Sequence, residues 1–153
     1  MEYRKTRLGN SMNLTTEEKA IHNSKQKLSL AESTLGRAWR VRRLDQPSRT
    51  YLLVELGDPN AIVGVAIVDL VTDEVGVFAN LLGVGPHLAI DARMAIRLAA
   101  GQEVARAELV WMPCAVSKSP LYPFWQVRTQ SGVRYVDQQG NVWDRLEPTV
   151  LGG

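Results

Sequence analysis

A helical segment that ends at a glycine and leads into a tryptophan-containing strand occurs twice in the chain, and this repeated order constrains the fold most. The first copy ends at Gly36 before Trp39, and the second ends at Gly101 before Trp111. Glycine is common just after a helix because it adopts the left-handed backbone conformation without strain. The pattern predicts two units of the same order, each a helix followed by strands.

The first unit begins at residues 15–18 (Thr-Thr-Glu-Glu), which have the form of a helix capping box. A helix is predicted from there to about Leu35, although its apolar positions are sparse. After it, apolar and polar residues alternate, as in strands with one buried face. Residues 65–68 are apolar on both faces, which indicates a central strand. Strands are predicted around Trp39 and over residues 51–56, 62–70 and 75–82.

The second unit has the same order. Its helix is predicted over residues 87–100, and its strands over residues 109–112, 124–129, 133–137 and 141–146. The predicted fold class is therefore α+β, a single domain over residues 15–153 made of two tandem helix-plus-antiparallel-meander units, about 15–82 and 87–147. Residues 1–14 are predicted to be a flexible, basic leader. The alternative to duplication is chance, because β-meanders share short patterns.

The sharpest likeness between the units is a turn that begins at an aspartate. Asp69 ends one strand and Val75 starts the next, and Asp137 and Val142 stand in the same relation. An aspartate side chain at such a place can accept hydrogen bonds from the backbone of the turn. The pattern indicates that both hairpins use the same turn chemistry.

This turn resembles that of a known family. Residues 68–75 (Val-Asp-Leu-Val-Thr-Asp-Glu-Val) resemble the Val-Asp-x-x-Thr-Gly-Glu-Val turn of PepSY-type domains, with Asp73 where the family usually has glycine. Two tandem helix-plus-meander units are also similar in architecture to the β-lactamase-inhibitor proteins, which are secreted and disulfide-bonded, unlike this chain. The resemblance implies a binding or inhibitory module without catalysis.

The composition indicates an ordinary globular protein in a reducing compartment. The chain has 153 residues, of which 45% are hydrophobic, and a single cysteine, Cys114, which cannot form an internal disulfide. Residues 1–30 carry charges throughout and contain no apolar run of the signal-peptide type. The weakly charged stretches 61–68 and 75–90 are too short or too interrupted to span a bilayer. We therefore expect a cytoplasmic protein without a membrane partner.

The charge is distributed unevenly along the chain. Residues 1–49 hold eleven lysines and arginines against five acidic residues, whereas the remainder has seven against eleven. Within the basic third, one predicted strand carries a row of guanidinium groups suited to phosphates or carboxylates. The alternative is a solvated strand face paired with neighbouring acids. The candidate partner-binding residues of this row are Arg37, Arg40, Arg42 and Arg43.

A second candidate partner surface is the proline-rich loop over residues 119–125. Its prolines favour an extended backbone, and it carries three large aromatic side chains of the kind that dominate protein interfaces. The alternative is that one or all of them belong to the core. These residues are Tyr122, Phe124 and Trp125.

Catalytic patterns are scarce. Cys114 with His87 or His22 would form a cysteine-hydrolase pair, but neither has a local signature, and a lone cysteine beside a strand is usually a small buried hydrophobe. Residues 83–87 before a helix suggest a phosphate loop but lack its further glycine and lysine, so a connector is favoured. No spacing fits a metal site. We therefore assign no catalytic, cofactor-binding or metal-binding residues and expect no cofactor.

The function predicted from the sequence is a non-catalytic protein-binding module, of which an inhibitor or immunity-like partner of another protein is one form. The alternative is a nucleic-acid-binding accessory protein that uses the basic N-terminal third. A small hydrolase that uses Cys114 is the third hypothesis.

Overall fold

The computed structural model describes residues 13–149, so the predicted leader, residues 1–14, lies outside the described residues except for its last two. The described chain is α+β, as predicted, with two helices and one eight-stranded sheet. The helices are α1 (Thr16–Lys27) and α2 (Ala92–Ala100). The strands are β1 (Gly36–Arg43), β2 (Thr50–Asp58), β3 (Ala61–Asp69), β4 (Val75–Asn80), β5 (Arg106–Trp111), β6 (Phe124–Thr129), β7 (Gly132–Val136) and β8 (Val142–Trp143).

The strand order of the sheet is β4-β3-β2-β1-β5-β6-β7-β8. Strands β1 and β5 are parallel neighbours at its centre, and each other adjacent pair is antiparallel. The sheet therefore consists of two meanders that run outward from the centre, with β4 at one edge and β8 at the other.

The two helices lie on opposite faces of this sheet. Leu52 and Val54, separated by one residue along β2, pack with α1, whereas Leu53 between them belongs to the larger core. That larger core also contains Ala95 of α2 together with Leu109 of β5. Side chains alternate between the faces of a strand, so α1 covers the first meander on one face and α2 covers the second meander on the other.

Both helices are shorter than predicted. Helix α1 ends at Lys27 rather than near Leu35, because the chain turns at Ser29, which has a positive φ of 56°. Helix α2 begins after Asp91, whose side chain accepts a hydrogen bond from the Met94 amide at 2.8 Å. The four residues predicted as its first turn are irregular, and two of them are buried in the larger core.

Neither helix of the described residues is long and apolar enough to cross a membrane.

The two aspartate turns have the hydrogen bonds that the sequence predicts. Asp69 Oδ1 accepts from two backbone amides of its turn, at 2.7 and 3.0 Å. Asp137 Oδ1 accepts from the amides of Gln139 and Asn141, both at 2.9 Å. The backbone hydrogen bonds from Thr72 and Val71 lower the pKa of Asp69. Both turns are therefore held by an ionised aspartate at neutral pH.

In each turn, the residue two positions before the next strand has a left-handed backbone conformation. Asp73 has a φ of 60° there, and Gly140 has a φ of 86° at the matching place in the second turn. A side chain in this conformation costs about 1 kcal/mol, although aspartate tolerates it better than most residues. The ion pair of Asp73 with Lys19, at 3.8 Å, is exposed and contributes little.

We expect Asp73→Gly to raise the free energy of unfolding by about 1 kcal/mol, because glycine removes the strain of this conformation. Gly140→Ala should lower it by a similar amount. Urea denaturation of both variants tests this pair, and Asp73→Ala, which keeps the strain, is the control. A stability gain from Asp73→Ala equal to that from Asp73→Gly would show that backbone strain is not the cause.

Candidate functional site

The predicted arginine row does not form one surface. Arg37 and Arg43 point to the face of α2, and Arg40 and Arg42 point to the face of α1, because neighbouring side chains of a strand alternate. Each guanidinium group has a carboxylate partner: Glu55, Asp45, Glu17 and Glu108 respectively. The row is thus a set of ion pairs, which is the alternative that the sequence left open.

In the pair of Arg37 with Glu55, the carboxylate is buried and the guanidinium group is partly exposed. The Glu55 side chain is fully buried in the centre of β2, and Arg37 Nε lies 3.4 Å from its Oε1 atom. Trp39 Nε1 donates a hydrogen bond to the same carboxylate oxygen. A carboxylate without water needs such partners to keep its charge. These three side chains therefore act as a structural unit.

The face of the second meander opposite α2 carries a polar network. Arg42 Nη2 donates to Glu108 Oε1 at 2.6 Å and to Gln126 Oε1 at 3.2 Å, and Gln126 Nε2 donates to the Tyr135 hydroxyl at 3.4 Å. Arg128 reaches the same glutamine at 3.4 Å. The hydrogen bond that Arg42 donates to Glu108 raises the pKa of the Arg42 guanidinium group. We call these five residues the polar sheet face.

Two of the three loop aromatics are core residues, which corrects the sequence prediction. Phe124 is 0% exposed and Trp125 is 5% exposed, and both belong to the larger core. Trp125 Nε1 donates to the Ile90 carbonyl at 2.6 Å, and its ring meets that of Trp39 edge-to-face at 6.4 Å. They lie on β6, a central strand of the second meander, so both faces around them are covered. Neither can contact a partner while the fold is intact.

Tyr122 is the exposed member of this loop. It is 47% exposed, and its ring lies against that of the buried His87 at a centroid distance of 5.0 Å. His87 is itself fixed, because its Nε2 atom lies 2.5 Å from the Leu121 carbonyl oxygen. Tyr122 therefore offers a large aromatic surface on a rigid support.

Tyr122 lines a groove of about 790 Å³, which we call the aromatic groove. Trp143, 37% exposed, lies in the same groove, and in the sheet it is the register partner of Tyr135 on the polar sheet face. Sequence reasoning placed Trp143 in a strand but not in a site. The sequence gives no signal for this site, because the strand is predicted over residues 141–146, whereas the structure has only Val142–Trp143 at the sheet edge, where little core remains to bury the indole. The other residues that line the groove are Ala115, Val116, Ser117, Lys118, Ser119, Asp137, Gln138, Gln139 and Asn141.

The floor of the aromatic groove is held by Asp137. Its Oδ2 atom accepts from Trp143 Nε1 at 3.0 Å and from Asn141 Nδ2 at 3.1 Å. Burial alone would raise the pKa of Asp137, but these hydrogen bonds and those from the turn amides outweigh it and hold the pKa below its ordinary value. The carboxylate thus fixes the indole of Trp143 in one orientation at neutral pH.

Each residue considered for catalysis has a partner other than the ones that a catalytic pair would need. Cys114 is buried, and its Sγ atom lies 3.8 Å from the Ser117 carbonyl oxygen. His87 Nε2 lies within hydrogen-bond distance of the Leu121 carbonyl oxygen, and His22 Nδ1 lies 3.2 Å from Glu32 Oε2. Residues 83–87 precede a further irregular stretch rather than a helix, and the Gly83 amide donates to the Ile62 carbonyl. Within residues 13–149 no cluster of histidine, cysteine or acidic side chains could hold a metal ion.

Comparison with known proteins gives no relative: no family model matches the chain, and no curated protein or solved structure is found to be similar to it.

Proposed function

We propose that the protein is a non-catalytic protein-binding module whose binding site is the aromatic groove. The observation that carries this proposal is the pair Tyr122 and Trp143, two exposed aromatic side chains on fixed supports that line one groove. Tyrosine and tryptophan are the commonest energetic anchors of protein interfaces, because they bury a large area at low conformational cost. A rigid groove also loses little entropy when it binds.

The groove suggests the chemistry of its partner. Its walls combine apolar surface from Val116 and the two aromatics with amide groups from Gln138, Gln139 and Asn141. The Gln138 amide is already bonded to the Ile90 amide and to the Pro123 carbonyl, so the Gln139 amide and the Asn141 side-chain oxygen are the groups offered to a partner. An extended segment that carries an apolar or aromatic side chain fits such walls, because these groups can pair with its backbone. An inhibitor or immunity-like role is one form of this proposal. In that form the groove would bind such a segment of another protein and block it.

We infer that the fold arose by duplication of one helix-plus-meander unit. The parallel contact of β1 with β5 supports this, because a half-turn about an axis along these strands exchanges the two meanders and also exchanges the faces of the sheet. The opposite positions of α1 and α2 agree with that operation. The matching turns at Asp69 and Asp137 are a second, independent support. The resemblance to PepSY-type turns and a cytoplasmic location are parts of the same proposal.

The test begins with capture of a partner from a lysate of the native host, at low and at high salt. With that partner purified, we expect Tyr122→Ala and Trp143→Ala each to weaken binding about 30-fold, which corresponds to about 2 kcal/mol for an anchor residue. Isothermal titration calorimetry measures the dissociation constants. Thermal unfolding shows whether each variant is folded at the temperature of the titration.

Val71→Ala is the control, because Val71 is an exposed hydrophobic residue that lies in the β3–β4 turn, outside the groove. Dissociation constants that stay at the wild-type value in both groove variants would contradict the proposed site. Capture of nucleic acid only, with an affinity that falls steeply with salt, would favour the alternative function. The pairing of all four arginines with carboxylates leaves fewer free cations for that alternative.

A further inference from the structure

The edge of the sheet formed by β4 has only part of the protection that edge strands usually carry. Lys27 of α1 places its Nζ atom 5.8 Å from the centre of the Phe78 ring, but β4 has no charged residue of its own. Its six residues contain no charge and no proline, and a bulge in the pairing with β3 lies before Phe78. From Phe78 onward the pairing is regular, and it continues past the end of β4, because the Leu81 amide donates to the Val63 carbonyl at 2.9 Å. A regular, uncharged edge offers unpaired backbone groups to another strand.

The register of β4 shows which groups are unpaired. Residues of an antiparallel strand alternate between those that bond to one neighbour and those that bond to the other. Leu81 bonds to β3, so the N–H and C=O groups of Phe78, Asn80 and Leu82 point away from the sheet. These three residues are exposed, with Phe78 at 42% and Leu82 at 93%.

We propose that this edge pairs with the same edge of a second copy of the chain, antiparallel and centred on Asn80. In that register Asn80 lies opposite Asn80 of the second copy, and Phe78 lies opposite Leu82. The outward-facing groups then form about six backbone hydrogen bonds. Phe78 and Leu82 also meet on one face as two cross-strand apolar pairs.

The β4 edge of a second copy fits this edge better than the β8 edge of a second copy does. The opposite edge of the sheet, β8, has only two residues, Val142–Trp143, and cannot pair along the length of β4. Pairing of β4 with β8 in a head-to-tail chain is therefore ruled out by length. The apolar residues also stand symmetrically about Asn80, two positions before it and two after it, as a two-fold interface requires.

The size of the interface predicts a weak dimer. Phe78, Leu82 and the neighbouring exposed residues Val77 and Val84 bury roughly 250 Å² per copy if about half of their exposed area is hidden. The two copies together then bury about 500 Å² of side chain before the backbone is counted, below the about 1,000 Å² of a stable specific interface. We therefore expect a weak dimer, with a dissociation constant on the order of 100 μM.

Sedimentation equilibrium of the full chain over a range of concentrations tests the proposal. We expect a monomer–dimer equilibrium for the wild type and a monomer for Leu82→Lys, which cannot unfold the protein by loss of packing because Leu82 is almost fully exposed. Val71→Lys is the control, because Val71 is similarly exposed but lies in the β3–β4 turn, and this variant should dimerise normally. A wild type that stays monomeric at high micromolar concentration, or a dimer that survives Leu82→Lys, would overturn the proposal.

An engineered disulfide between the two copies tests the proposed register of the β4 pairing. Directly opposed residues of a hydrogen-bonded antiparallel pair have Cα atoms about 5.5 Å apart, within the range that a disulfide spans. Asn80→Cys should therefore give a covalent dimer under mild oxidation. The wild type, whose Cys114 is buried, should remain uncrosslinked. If Asn80→Cys crosslinks no better than Ser131→Cys, an exposed position in the β6–β7 turn, the register centred on Asn80 is wrong.

Discussion

Replacing Phe124 with alanine should lower the free energy of unfolding by about 4 kcal/mol, because the ring is completely buried and its removal leaves a large cavity. Phe124 begins β6 opposite Val110 of β5, another fully buried residue, so the surrounding strands cannot easily collapse into the space. Urea denaturation at neutral pH measures the loss.

The control for this prediction is Tyr122→Ala, two positions earlier in the same loop. Its side chain is half exposed and packs mainly on one ring, so we expect a loss of about 1 kcal/mol or less. The two substitutions separate a core aromatic from a surface aromatic. Equal losses would show that the loop is packed differently from this structure.

Arg37→Met should destabilise the protein by about 3 kcal/mol, because it leaves the carboxylate of Glu55 buried without its cation. Methionine keeps much of the aliphatic length of arginine, so the loss reports on charge rather than on packing. Chemical denaturation at neutral pH is the measurement.

Two further variants decide the cause. Arg37→Met combined with Glu55→Gln removes the charge but keeps an oxygen for Trp39 Nε1, and it should recover most of the loss. Arg40→Met in the same strand breaks the exposed pair with Glu17 and should cost less than about 1 kcal/mol. If Arg37→Met costs no more than Arg40→Met, the burial of Glu55 does not decide the stability of the pair.

Periodicity was sufficient to predict the strands. The β6 strand is found over the predicted residues, and the other strands differ at their ends, most of all the short β8. Strand periodicity is local, so neighbouring residues reveal it. The starts of α1 and α2 depended on caps, and Asp91 was missed because Leu88 and Ile90 continue an apolar pattern that the core uses without helix. Local sequence does not show which apolar residues the core takes from a loop.

The aromatic groove could not be predicted in the same way. Tyr122 lies in the loop before β6 and Trp143 lies in β8, so the two sides of the groove come from segments that are distant in sequence. The three aromatics of the loop look alike in composition, and only the position of β6 inside the sheet separates the buried Phe124 and Trp125 from the exposed Tyr122. The ion pairs of the four arginines could not be predicted from the row itself for a related reason, since the acids that pair with them come from four different segments.

The contact between β1 and β5 also has a kinetic consequence. Within each meander every strand pairs with its neighbour in sequence, whereas the register of β1 with β5 joins Arg42 to Val110, with β2, β3, β4 and α2 lying between them in the chain. Local pairings form quickly, and closing a long loop is slow because its entropy is lost before the contact rewards it. We therefore expect each meander to form early and the union of the two central strands to limit the rate at which the whole chain folds.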